Sequence, residues 1–131
     1  MAGVAPQDNR MEILIADDDP IIRLDLKQML ENLEYEVVGE AGDGQQAIEL
    51  ARECMPDICI LDVKMPVMDG IAMLKVIHQI KPAVRVVAMS GVDTSLDEAG
   101  RLVAEGVTCV LQKPFDAAQL ARALREAIQA Q

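Results

Sequence analysis

Residues 12–20 read Glu-Ile-Leu-Ile-Ala-Asp-Asp-Asp-Pro, and the change of character at Asp17 decides the architecture. Residues 12–16 form a strand-length run whose apolar positions are consecutive rather than alternating, as in a strand covered on both faces. Asp19 followed by Pro20 reads as the N-cap and first residue of a helix. Beyond them Ile22, Leu26, Met29, Leu30 and Leu33 fall at i, i+4, i+7, i+8 and i+11, on one helical face. The alternation then repeats, with strands expected at 36–41, 58–61, 85–89 and 107–112. Leu96, Ala99, Leu102 and Val103 carry one further helical stripe, and Leu120, Leu124, Ala127 and Ile128 another. Ser95 with Glu98 reads as a capping box, Asp69 as a turn or cap residue, and Asp116 as the cap of the last helix. Five β–α units in strict alternation imply an α/β domain: a doubly wound parallel sheet, (βα)5, with helices on both faces and right-handed crossovers.

Composition narrows the function. The 131 residues carry 22 acidic and 12 basic side chains, a formal charge of −10, and 2% are aromatic. That field repels nucleic acid, and there is no stacking platform for bases. A chain of this length buries roughly 65–70% of its unfolded surface, so no disulfide or structural metal is needed. Cys54, Cys59 and Cys109 lack metal-ligand spacing, which argues against a zinc module. Cys59 and Cys109 are expected as buried strand thiols and Cys54 as a more exposed one. No apolar run reaches membrane-spanning length. Residues 1–10 lack the features of a signal peptide and read as a flexible lead to a single domain at 11–131, in a reducing, cytoplasmic setting. His78 is the only histidine, and it falls on the flank of the third helix, away from the strand ends.

Ligands of an open parallel sheet bind beyond the carboxyl ends of its strands. With the flavodoxin-like order 2-1-3-4-5, the strand ends bring together Asp17-Asp18-Asp19, Asp62, Ser90-Gly91 and Lys113-Pro114. Crowded carboxylates repel, so some are protonated or a cation sits among them. Oxygen-only ligands favour Mg²⁺. An acceptor carboxylate, a divalent ion, a hydroxyl and an ammonium are the equipment of phosphoryl transfer, in which an aspartate can form an acyl phosphate. A carboxylate at position 62, where a strand would ordinarily end on an apolar residue, is costly unless used. For Asp19, capping explains the residue better than metal binding.

With these residues in place, the sequence resembles the receiver domain of two-component response regulators over residues 11–130. The resemblance rests on Ile13-Leu14-Ile15-Ala16-Asp17-Asp18, on Leu61-Asp62 leading to Met65-Pro66 and Met68-Asp69-Gly70, on Met89-Ser90-Gly91 and on Lys113-Pro114-Phe115. It implies that Asp62 accepts a phosphoryl group from a histidine kinase or histidine phosphotransfer protein. It implies also that Asp17, Asp18, Asp62 and the backbone carbonyl of Lys64 hold Mg²⁺, that Ser90 and Lys113 bind phosphoryl oxygens, and that the Lys113–Pro114 peptide is cis.

The chain departs from the family pattern at several places. Val110 occupies the switch position, three residues before the lysine, where many receivers carry Tyr or Phe, so an aromatic rotamer switch is unavailable. Ser90 replaces the commoner Thr. Lys64 and Val92, two residues after Asp62 and Ser90, are expected to slow loss of the phosphoryl group. Gly100 inside the fourth helix costs on the order of 1 kcal/mol against Ala, either to keep that helix marginal or to permit close packing. Ile21 and Leu24 are expected to be exposed on the first helix, where a kinase or phosphotransfer helix could dock. Output would run through the fourth helix, fifth strand and fifth helix, with a phosphorylation-dependent homodimer among the options.

The stretches 22–26 and 62–66 look similar to receivers that precede an RNA-binding antiterminator module; the chain would act alone through protein contacts or as part of a longer regulator. A module that accepts and slowly loses its own phosphoryl group is not a turnover enzyme. Three alternatives stand beside this reading. A degenerate receiver would act by surface contacts alone. An aspartyl-phosphate phosphohydrolase would need a second aspartate at position 64, which is Lys. A flavin carrier would need a hydroxyl-rich first loop and aromatics around the ring.

Overall fold

The computed structural model describes residues 10–65, 67–91 and 95–130, except for the side chain of Leu96. Residues 1–9 of the expected lead at 1–10, Pro66 and the tuning position Val92 lie outside the described residues. The element order is β1 (Glu12–Ala16), α1 (Pro20–Asn32), β2 (Glu36–Ala41), α2 (Gly44–Cys54), β3 (Ile58–Asp62), α3 (Gly70–Ile80), β4 (Arg85–Ser90), α4 (Leu96–Ala104), β5 (Cys109–Gln112) and α5 (Ala117–Gln129). All four strand pairings are parallel, and the sheet order is β2-β1-β3-β4-β5. The fold is therefore the doubly wound, flavodoxin-like one read from the sequence.

The pleat sends alternate residues of each strand to opposite faces, and two apolar clusters result. Leu14, Ala16, Cys59, Leu61, Val86 and Ala88 pack against Ala47, Ile48 and Ala51 of α2, Met73, Leu74 and Ile77 of α3 and Leu102 of α4. Ile13, Ile15, Ile58, Ile60, Val87 and Met89 face Leu26 and Leu30 of α1 and Leu120, Ala123, Leu124 and Ala127 of α5. Truncating a fully buried leucine such as Leu30 to Ala in such a core costs about 2–5 kcal/mol. Among the described residues, no helix is long and apolar enough to cross a membrane.

Each helix starts where its cap dictates. Side-chain oxygens of Asp19, Asp43, Asp69, Ser95 and Asp116 accept from backbone N–H groups two or three residues on. Ser95 makes the hydroxyl half of a box with Glu98 N–H, whereas both halves are made at α5, between Asp116 and Gln119. β3 and β4 run one residue further than expected, through Asp62 and Ser90, and β5 starts only at Cys109. Val103 is 59% exposed rather than on the core stripe, because one helical step carries it about 100° round from the buried Leu102. Cys109 is half-buried rather than enclosed, since β5 is an edge strand. A β-carbon on Gly100 would meet nothing within 4 Å, so close packing is not what keeps that glycine.

Candidate functional site

The crevice is built from strand ends. Asp17 directly follows β1 and is fully buried; Asp62 ends β3 at 8% exposed; Ser90 ends β4 and is buried. Lys113 follows β5 and joins Pro114 through a cis peptide bond. Its N–H donates to the Ser90 carbonyl at 2.7 Å, extending the β4–β5 pairing by one step. That backbone lock aims the lysine side chain across the sheet. Lys113 Nζ donates to Asp17 Oδ2 at 2.7 Å and to Asp62 Oδ2 at 3.1 Å.

The remaining carboxylate oxygens are held by backbone. Asp17 Oδ1 accepts from Asp19 N–H at 2.9 Å and Asp62 Oδ1 from Lys64 N–H at 3.0 Å. Each of these four oxygens therefore takes a hydrogen bond and keeps a second lone pair for another ligand. Oxygens of Asp17, Asp18 and Asp62 come within 4.8 Å of one another, with Asp18 exposed at the mouth. Three oxygen donors at that spacing, open on one side, fit a hard divalent cation that keeps water on its outer face.

Electrostatics mark the same spot. Burial pushes the Asp62 carboxyl above its ordinary value; the Lys64 N–H and the Lys113 charge oppose this, the Asp17 charge adds to it, and the net shift is upward. For Lys113 burial acts downward, but the hydrogen bond to Asp17 and the charges of Asp62 and Asp17 outweigh it and raise its value. A buried net negative site with one ammonium bridging two carboxylates is poised to accept positive charge.

Glycine and cap residues shape the β3–α3 connection. A β-carbon on Gly70 would lie 2.8 Å from the Val63 carbonyl oxygen, so only glycine lets α3 start this close behind Asp62. Asp69 caps that start through Ile71 N–H at 3.4 Å.

The other positions expected from the sequence to matter fall around the crevice rather than in it. Ile21 and Leu24 project from α1 at 69% and 55% exposed. Behind them a mostly apolar groove of ≈ 430 Å³ runs between Ile22, Leu26 and Met29 of α1 and Pro114 and Phe115 after β5. Val110 is half-buried, in register with Ala88, and packs into the cluster beneath α2, α3 and α4. His78, expected only on the flank of the third helix and outside the crevice, sits at the opposite end of α3 against Gly106. One residue near the site was not singled out from the sequence: Arg23, whose Nη1 donates to the Asp17 carbonyl oxygen at 2.6 Å. On an amphipathic helix it reads as an ordinary solvated charge.

A family model described as the response regulator receiver domain matches residues 13–125. The transcriptional regulatory protein PdtaR of Mycobacterium tuberculosis is 45% identical over 118 residues, covering 88% of this chain and 56% of that protein, so the chain spans little more than half of this relative's length. Chemotaxis protein CheY of Bacillus subtilis is 36% identical over 118 residues, 88% of this chain and 96% of CheY. Among solved structures, a response regulator receiver domain protein from Clostridium thermocellum superposes with a TM-score of 0.83 at 32% identity, covering 90% of this chain and 94% of that one.

Proposed function

The chain belongs to the response regulator receiver domain family of two-component signalling, and on that premise we propose that Asp62 is its phosphoacceptor. The receiver unit spans residues 11–131. One observation carries the reading: Lys113 Nζ bridges Asp17 and Asp62 at 2.7 and 3.1 Å, placing a cation where a phosphoryl group on Asp62 would present its oxygens. In transfer, the N–P bond of a phosphohistidine donor breaks as an Asp62 Oδ–P bond forms, and the electron pair stays on the donor imidazole.

Receiver domains bind Mg²⁺ at an acidic site, and here Asp17, Asp18, Asp62 and the Lys64 backbone carbonyl are the groups that would hold it. When bound, the ion neutralises charge on the phosphoryl oxygens. Lys113 and the Ser90 hydroxyl take the remaining oxygens, and the buried walls of β1, β3 and β4 keep the acceptor positioned. The module gains and slowly loses its own phosphoryl group rather than turning over a substrate.

The donor is a histidine kinase or histidine phosphotransfer protein in the cytoplasm. It docks on Ile21, Leu24 and the adjoining α1 groove, and output passes through the α4–β5–α5 face to a partner or a second copy. With Val110 at the switch position, the response must come from repacking of apolar side chains rather than an aromatic swing.

Intact mass after incubation with Mg²⁺ and a small-molecule phosphodonor tests this. One added phosphoryl group is expected, absent in EDTA and absent in Asp62→Asn. An unmodified protein that also fails to bind beryllofluoride would refute the proposal and leave a degenerate receiver that acts by its surface.

A further inference from the structure

We infer that Arg23 is a positioning residue for the cation site, acting on the backbone that carries the acid pair without touching the ion. The inference rests on the reading above, in which Asp17 and Asp18 hold a divalent cation. Asp17 is gripped from both sides of its main chain. Its N–H donates to the Ala41 carbonyl at 3.0 Å, and its carbonyl accepts from Arg23 Nη1 at 2.6 Å. The carbonyl of Asp17 lies in the same rigid plane as the Asp18 N–H. Fixing that plane fixes the direction in which Asp18 leaves the chain, and so the spacing of the two carboxylates.

Arg23 is itself anchored. It sits in the first turn of α1, its N–H donating to the Asp19 carbonyl at 3.1 Å. Its Nε lies 3.8 Å from Glu40 Oε1 near the end of β2, and Lys27 meets the other oxygen of Glu40 at 3.6 Å. Nη1 lies over Gly42, where an added β-carbon would be 3.5 Å away. One guanidinium thus hydrogen-bonds the end of β1 and, through a longer ion pair, faces the end of β2 at the mouth of the crevice. Lysine, with a single ammonium, could serve the carbonyl or Glu40 but not hold both in one plane.

The sign of the effect separates positioning from simple electrostatics. Arg23 adds positive charge beside a cation site, so its removal on charge grounds alone would tighten Mg²⁺ binding, most visibly at low salt. Positioning predicts the reverse.

The test is Mg²⁺ titration by calorimetry of the full chain and its Arg23→Gln, Arg23→Lys and Asp17→Asn variants, with thermal unfolding in EDTA to establish that each folds. Arg23→Gln is expected to weaken Mg²⁺ binding about ten-fold, the lower end of what outer-sphere partners command, and Arg23→Lys, which keeps the charge, by less, about three-fold. The Mg²⁺ concentration for half-maximal phosphorylation should rise in parallel, with the plateau rate kept. Parental or tighter binding by Arg23→Gln, beside a loss of binding in Asp17→Asn, overturns the positioning role alone. A parent that does not bind Mg²⁺, or that binds it as well with Asp17→Asn, overturns the cation-site reading and this inference with it. Should Arg23→Gln not fold, Arg23→Lys decides, and parental affinity there overturns the role of the fork.

Discussion

Asp62→Asn is expected to stabilise the metal-free protein while abolishing its response to Mg²⁺. Three buried or part-buried charges set the magnitude. Acid-cluster oxygens lie within 4.8 Å of one another, and at an effective dielectric near 20 two unit charges at that separation repel by roughly 3.5 kcal/mol. Lys113 Nζ at 3.1 Å from Asp62 attracts it by roughly 5 kcal/mol on the same scale. What remains of the attraction is smaller than the several kcal/mol needed to dehydrate a carboxylate, and the upward shift of the Asp62 carboxyl has the same sign. Asparagine keeps the shape and an acceptor for Lys64 N–H, and leaves Lys113 paired with Asp17 alone. The gain should be about 1–2 kcal/mol at pH 7, a rise of about 4–7 °C for a domain of this size, read by circular dichroism in EDTA.

The pH dependence follows from the direction of the shift. A carboxyl whose folded value is raised favours the folded state when protonated, so its contribution is fully present below the ordinary value of 3.8 and is lost as pH rises through the folded value. The stability gap between parent and variant should therefore close as the pH is lowered from 7 towards 4. With Mg²⁺ at a hundred times its dissociation constant the parent should gain about 2.7 kcal/mol, and the variant none. A variant less stable than the parent in EDTA at pH 7, or a gap that does not change with pH, would refute the reasoning.

Two further outcomes test the fold around the site. Gly100→Ala should stabilise the protein by about 1 kcal/mol in urea unfolding, since the new methyl meets nothing within 4 Å; a loss of stability would mean that α4 needs that glycine's conformational freedom. Cys59, fully buried and with its thiol pushed by desolvation up to about 12, should resist thiol reagents at pH 8 until the protein is unfolded, because the thiolate is the nucleophile. Native labelling of Cys59 as fast as that of Cys54 would contradict the packing of β3.

Much of the candidate site was legible because its geometry follows from topology. Once Asp19-Pro20 stops β1 and starts α1, parallel strands must place their carboxyl ends on one side, and Asp17, Asp62, Ser90 and Lys113 come together without any knowledge of side-chain packing. What was not legible depends on space and reach. Arg23 looks like any solvated cation until α1 is laid across β2 and its guanidinium meets the Asp17 carbonyl and Glu40. Gly70 after Asp69 reads as a turn, yet the reason for glycine is the Val63 carbonyl 2.8 Å from where a β-carbon would stand. Cys109 reads as buried from its apolar run, but an edge strand leaves its flank open. Val103 fails for a different reason: it lies one helical step from the buried Leu102, and a nine-residue helix is too short for a stripe to be told from its neighbours.

Among the described residues, the buried polar or charged ones are Asp17, Asp62 and Ser90. All three sit at the carboxyl ends of β1, β3 and β4, strands adjacent in the sheet. Packing does not require them there: the positions beneath, from Ile13 to Ala16 and from Ile58 to Leu61, are filled by apolar side chains that complete both clusters. A neutral side chain in place of Asp62 would relieve repulsion and dehydration together, which is the content of the Asp62→Asn prediction. Charge retained against stability, at the one edge of the sheet where ligands of this fold bind, is what a site selected for chemistry leaves behind. The lysine that partly offsets it reaches in from the end of β5, at the sheet's far edge, so the compensation is itself part of the site.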